Sequence, residues 1–163
     1  MNAKKKKIES QADEQSNVIA SKNPGVHFKK SDENFDIFIS APMAAFKDNK
    51  KYEEHRIFIG KLKQTFKREC NLNSFYAGDN IQSVSEFEGE NISLLKVIKS
   101  LKASKYFLMV YPEKMVSSVL VEAGIAMTLE KPSVYFVRDI KHLPFLLQQV
   151  GEAIDKVHLH KYN

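Results

Sequence analysis

From Phe35 onward, short apolar runs alternate with longer stretches of helical periodicity, and this alternation constrains the fold more than any other feature of the chain. Phe35-Asp36-Ile37-Phe38-Ile39-Ser40, Ser74-Phe75-Tyr76-Ala77 and Tyr106-Phe107-Leu108-Met109-Val110-Tyr111 read as strands, as do Ser133-Val134-Tyr135-Phe136-Val137 and Lys156-Val157-His158-Leu159-His160. Between them, residues 51–68 carry apolar side chains at Tyr52, Ile57, Phe58, Ile59, Leu62 and Phe66, and residues 91–103 do so at Ile92, Leu95, Ile98 and Leu101, which suits amphipathic helices. Residues 115–130 are apolar nearly all round, the mark of a buried helix. Pro112 stops the third strand, Pro132 ends the third helix, and Pro144 opens a short helix predicted over residues 143–150. Residues 80–90 are polar and acidic and read as a long loop. Apolar strands separated by helices imply a parallel sheet covered on both faces, and right-handed crossovers leave few topologies. The expectation is one flavodoxin-like α/β domain over residues 34–163, with a five-stranded, mainly parallel sheet in the order 2-1-3-4-5 and helices on both faces.

Residues 1–33 lack a core-forming pattern. Only Val18-Ile19-Ala20 could pack, too little to offset an ordering cost of about 1–2 kcal/mol per residue, so a disordered polar tail is expected. The dense basic run Lys4-Lys5-Lys6-Lys7 lies in it and reads as solubilising. The formal charge of +5 is spread thinly, with +2 in residues 1–34 and +3 beyond, which argues against nucleic acid as a partner. No apolar run reaches the roughly 18 residues of a membrane span. One cysteine, Cys70, excludes an intrachain disulfide and fits a cytoplasmic protein.

In such sheets ligands bind beyond the carboxyl ends of the strands, near the switch point between strands 1 and 3. That rule nominates Ser40, Ala41, Pro42 and Met43 after the first strand, and Ala77, Gly78 and Asp79 after the second. It also nominates Tyr111 and Pro112 after the third and Arg138-Asp139 after the fourth. The dinucleotide fingerprint, the phosphate-cradling loop and the hydrolase nucleophile elbow are all missing from the sequence. His158 and His160 share a strand face without a nearby carboxylate, so no metal and no resident cofactor are expected.

Glu122 is the sole acid within the apolar stretch 115–129. It has three possible fates: to face water, to pair with a base, or to enter the crevice desolvated, with a raised pKa. Ser117 and Ser118 suit an N-cap, or a ligand held at the helix N-terminus. Gly124 reads as a point of close helix–sheet packing. Tyr76 and Tyr111 are candidates for stacking on a ring, with core packing the plainer reading.

The third strand, Tyr111-Pro112-Glu113, Ser117-Ser118, Glu122-Ala123-Gly124-Ile125-Ala126 and Lys131-Pro132 together resemble nucleoside 2-deoxyribosyltransferase-like proteins. The same layout, with the opening strand Phe35-Asp36-Ile37-Phe38-Ile39-Ser40, is similar to Toll/interleukin-1 receptor (TIR) domains, over about residues 35–150. The resemblance implies that Glu122 acts at the anomeric carbon while an N-glycosidic bond breaks, and that Ser117 contacts ribose or phosphate. It implies NAD or a related nucleotide or nucleoside as substrate, self-assembly or a protein partner, and a role in immune or antiphage defence. One departure stands out. The transferases carry an acid in the helix before the third strand to serve the leaving base, and residues 91–105 contain none. Glu86, Glu88 and Glu90 lie just upstream. NAD cleavage releases neutral nicotinamide and needs no such proton, so it is the leading expectation. The alternatives are a nucleoside or deoxynucleotide N-glycosidase or transferase, and a non-catalytic nucleotide sensor.

Overall fold

A computed structural model describes residues 35–79, 81 and 90–162, the side chains of residues 90–93 excepted. The chain divides into two units, Met1–Glu33 and Asn34–Asn163. The first lies outside the described residues, and with it the expected tail and its lysine run. Most of the acidic loop expected at residues 80–90 lies outside them too, including Glu86 and Glu88.

The second unit is an α/β domain built on strands β1 (Ile37–Ser40), β2 (Ser74–Tyr76), β3 (Tyr106–Tyr111), β4 (Ser133–Val137) and β5 (Val157–Lys161). They form one sheet in the order β2-β1-β3-β4-β5, and every pairing is parallel. This is the expected flavodoxin-like arrangement. Its helices are α1 (Asn49–Cys70), α2 (Glu90–Ala103), α3 (Val119–Thr128) and the single turn α4 (Val150–Ala153).

Strand side chains alternate between two cores, because successive Cβ atoms point to opposite faces. Phe38, Phe107, Met109, Tyr111, Tyr135, Val137 and Val157 pack with Val97 and Leu101 of α2, Val119, Ala123 and Ala126 of α3, and Val150 of α4. Ile37, Ile39, Leu108 and Val110 pack on the opposite face with Ile59 and the half-buried Phe58, Leu62 and Phe66 of α1. Both faces of the central strands are therefore apolar, which is why β1 and β3 read as continuous apolar runs.

Helix ends follow local chemistry. Asp48 caps α1 by accepting a hydrogen bond from the Lys50 amide at 2.8 Å, and Asn71 ends it in the left-handed region at φ 52°. The helix is thus two residues longer at each end than its apolar pattern. The α3 helix is shorter than the predicted 115–130. The Tyr111 hydroxyl donates to the Met115 carbonyl and accepts from the Met115 amide, which holds the segment before Val119 out of the helix. At the other end Glu130 takes φ 52°, with Glu130 N bonding Met127 O and Lys131 N bonding Ala126 O. That pair of bonds is the Schellman stop, here with a glutamate where glycine is usual.

Two further expectations are corrected. A Cβ built on Gly124 would meet nothing within 4 Å, so no tight helix–sheet approach requires glycine there. The close approach is made by Ala123 and Ala126, both fully buried. The short helix predicted over 143–150 is instead two 3-10 turns, Ile140–His142 and Phe145–Leu147, followed by α4. Pro144 is the extended residue before the second turn (ψ 149°), and Phe145 and Leu146 are each 84% exposed, so their apolar character does not report burial.

Candidate functional site

The site begins with the two-residue period of β1. Phe38 faces the α2–α3 core, so Ser40, two residues on, faces the same way at the carboxyl end of the strand. Ser40 is only 1% exposed. Its hydroxyl donates a 2.6 Å hydrogen bond to Oε2 of Glu122, which lies in the first turn of α3. The Glu122 amide bonds the Ser118 carbonyl at 3.0 Å, and the nearby Ser118 hydroxyl also favours the charged carboxyl.

Glu122 keeps some contact with solvent, yet its carboxyl is surrounded closely by protein atoms. Desolvation pushes its pKa up, and the hydrogen bonds from Ser40 and Ser118 oppose that rise without cancelling it. No cation figures among the causes. Among the described residues no cation pairs with Glu122, and its desolvated carboxyl is held by the Ser40 hydroxyl. The positive end of the α3 dipole is a further favourable influence on a charge in the first turn.

The two serines before α3 divide their work. Ser118 occupies the N-cap position but makes no capping bond with its side chain. The Ser117 hydroxyl accepts from the Val119 amide at 3.3 Å. The N-cap role expected of both belongs, in part, to Ser117 alone.

At the end of β2, the Tyr76 ring is buried and its hydroxyl has no hydrogen-bond partner among the described residues. A Cβ on Gly78 would come within 2.6 Å of that ring, so glycine is required where the backbone curls over the phenol. Burial raises the Tyr76 pKa, with further contributions from Tyr52 and Asp79. Asp79 is ion-paired with Lys63 of α1. The Tyr52 hydroxyl donates to the Ile81 carbonyl at 3.1 Å, fastening the segment after β2 to α1.

The segment after β1 turns inward. Ala41 and Pro42 are buried, Met43 packs against the α1 core, and the Phe46 amide closes a turn on the Met43 carbonyl at 3.2 Å. Phe46 lies 5.1 Å from the ring of His55. Ala77 and Pro112 are half-buried at their strand ends. Tyr111 is buried, and its hydroxyl is engaged with Met115, so its visible work is to hold the loop that carries Ser117 and Ser118. Arg138 lies on the α1 side of the sheet, 5.8 Å over the Tyr162 ring. No group of three or more metal-ligating side chains exists among the described residues, and no described helix is long and apolar enough to cross a membrane.

Of the nominated residues, Ser40 and Glu122 meet directly, with Ser118 at the N-cap of the same helix. Gly78 lies against the Tyr76 ring on the α1 side of the sheet, where Asp79 pairs with Lys63. Tyr111 and Ser117 shape the loop before α3. The role of Ser40 is one that sequence reasoning missed: it is nominated only by its place after the first strand and is bonded to the carboxyl group itself. Its partner is 82 residues away, and no local pattern signals such a contact. No known family matches the chain, and no curated protein is significantly similar to it in sequence.

Proposed function

We propose that the domain cleaves an N-glycosidic bond in NAD or a related nucleotide, with Glu122 as the catalytic residue. The observation that carries the reading is a desolvated carboxyl group with no cationic partner among the described residues, hydrogen-bonded by Ser40 at the switch point of a parallel sheet. Such a group is poorly suited to a structural ion pair and well suited to stabilising a cation that appears only during reaction.

The chemistry follows from charge. As the bond from C1′ to the nicotinamide nitrogen breaks, both electrons leave with the nitrogen, the base departs neutral and the ribose becomes oxocarbenium-like. A Glu122 oxygen beside C1′ stabilises that cation or bonds to it. Water then attacks C1′ and yields a proton to solvent. The absence of any acid from residues 91–105 is compatible with this route, because neutral nicotinamide requires no protonation. It disfavours transfer between nucleosides, where the leaving base must be protonated. A role in defence, with self-assembly or a partner protein, rests on the TIR resemblance alone.

The test is incubation of the full chain with NAD, nucleosides and nucleotides, with released base followed by chromatography. Glu122→Gln should lower base release by about 10² or more while leaving the fold intact. A well-folded Glu122→Gln protein with unchanged release would remove Glu122 from the mechanism. Absence of release by the unaltered chain, accompanied by nucleotide binding, would make the domain a sensor.

A further inference from the structure

We propose that Ser40 is the positioning residue of this site: its hydroxyl fixes the Glu122 carboxylate in one rotamer and in its charged form at the junction of β1 and α3. The inference deepens the reading above and rests on it for any effect on turnover, but not for its structural content.

Three observations carry it. Ser40 is almost completely buried, so its hydroxyl has no water to turn to and must find a protein acceptor. The acceptor it finds is Oε2 of Glu122 at 2.6 Å, short for a hydroxyl and suited to a charged carboxylate. The two groups sit on different elements, a central strand and a helix, so the bond anchors a flexible side chain to the rigid middle of the sheet. Glutamate has three side-chain torsions, and an unanchored one would sample several orientations. A carboxylate that must lie beside one carbon atom of a substrate gains most from losing that freedom before the substrate arrives.

Ser118 cannot substitute for Ser40. It is exposed, and it stands on the same helical turn as Glu122, so it adds no anchor from outside α3. Hydrogen bonds from both hydroxyls favour the charged form of Glu122 against desolvation. Tyr76 of β2, which burial keeps protonated and neutral, packs on the α1 face of the sheet, opposite the face to which Ser40 points. Among the described residues, Ser40 is the buried donor that reaches the carboxyl from outside α3.

The experiment titrates the Glu122 carboxyl directly. Full-length protein labelled with 13C at the glutamate side-chain carboxyl is followed by NMR from acid to neutral pH. The Glu122 signal is identified by its loss in Glu122→Gln. In Ser40→Ala the Glu122 ionisation constant should fall at least about tenfold, the effect of losing a hydrogen bond to a charged acceptor. Ser40→Cys, of similar shape and weaker donor strength, should fall between the two, and it keeps the test decisive if the alanine variant folds poorly. Where base release is measurable, the acid limb of its pH profile should move upward with the same ordering, and kcat should fall more than KM rises. An unchanged Glu122 titration in a folded Ser40→Ala or Ser40→Cys protein would overturn the proposal. Absence of base release from the unaltered protein would overturn the glycosidase reading while leaving the titration to decide the role of Ser40.

Discussion

His55 should limit the stability of this domain in mild acid. It lies on the inner side of α1, 8% exposed, between Phe46 at 5.1 Å and Phe58 at 6.5 Å, and its Nε2 has no hydrogen-bond partner among the described residues. Burial pushes the imidazole down to about 4, and nearby Arg138 acts in the same direction. A histidine whose folded value lies below its unfolded value contributes stability that is complete above the unfolded value, 6.5, and is lost as the pH falls through about 4. Across this window the unfolded chain binds the proton first, so acid favours unfolding. The gap is equivalent to about 3 kcal/mol, of which about 2 kcal/mol should be gone by pH 5. His55→Phe retains an aromatic ring against Phe46 and removes the titration. Urea unfolding of both proteins from pH 7.5 to 4.5 isolates the effect, because every other titrating group is common to the pair. The stability difference should shift towards the variant by about 2 kcal/mol between pH 7.5 and pH 5. Arg138→Gln should weaken the acid sensitivity slightly, by removing a cation that opposes protonation. A difference that stays flat over that range would show that His55 is solvated or charged in the fold, and the packing described for Phe46 would be wrong.

Other expectations are equally direct. Glu122→Gln, beyond its effect on base release, should raise stability at neutral pH. The raised carboxyl pKa means that the contribution of Glu122 is complete below its ordinary 4.5 and declines as the pH rises through its folded value, so the gain should vanish in acid; melting at pH 7 and pH 4 checks the sign. Tyr111→Phe should cost about 1–3 kcal/mol, by leaving the Met115 amide and carbonyl without their partner, and should speed hydrogen exchange at that amide. Glu130→Gly should stabilise the domain by up to about 1 kcal/mol in denaturant unfolding, since glycine enters the left-handed region without strain and the exposed ion pair to Lys156 contributes little.

The sequence was most legible where burial acts on both faces of an element. The runs 106–111 and 133–137 match β3 and β4 residue for residue, because a strand covered on both sides is apolar throughout and its polar or proline neighbours mark its ends. The switch-point rule led to Ser40, and Glu122 stood out as the sole acid in an apolar helix. What escaped was whatever depends on contacts distant in sequence or on a single side chain. The start of α3 was placed four residues early, because the tyrosine hydroxyl that holds Met115 out of the helix leaves no trace in hydropathy. Gly124 was read as a packing glycine when the neighbouring alanines make the approach. Phe145 and Leu146 look like core residues and are not, since apolar character reports burial only when a periodic element carries it.

The order of the sheet has a consequence for how the site comes into being during synthesis. β1 is the first of the described strands to be made, yet its neighbours are β2 and β3, and its last residue waits for a partner on α3. A nascent chain that has emerged only as far as α2 holds Ser40 but no Glu122, so no partial product of that length contains the site. Pairing across such separations is also slow, because each loop must close before its contacts form. A cut between α2 and β3 would leave Ser40 on one fragment and Glu122 on the other. Each half would lack the site by itself, and any activity would appear only when the two sides of the sheet reassemble.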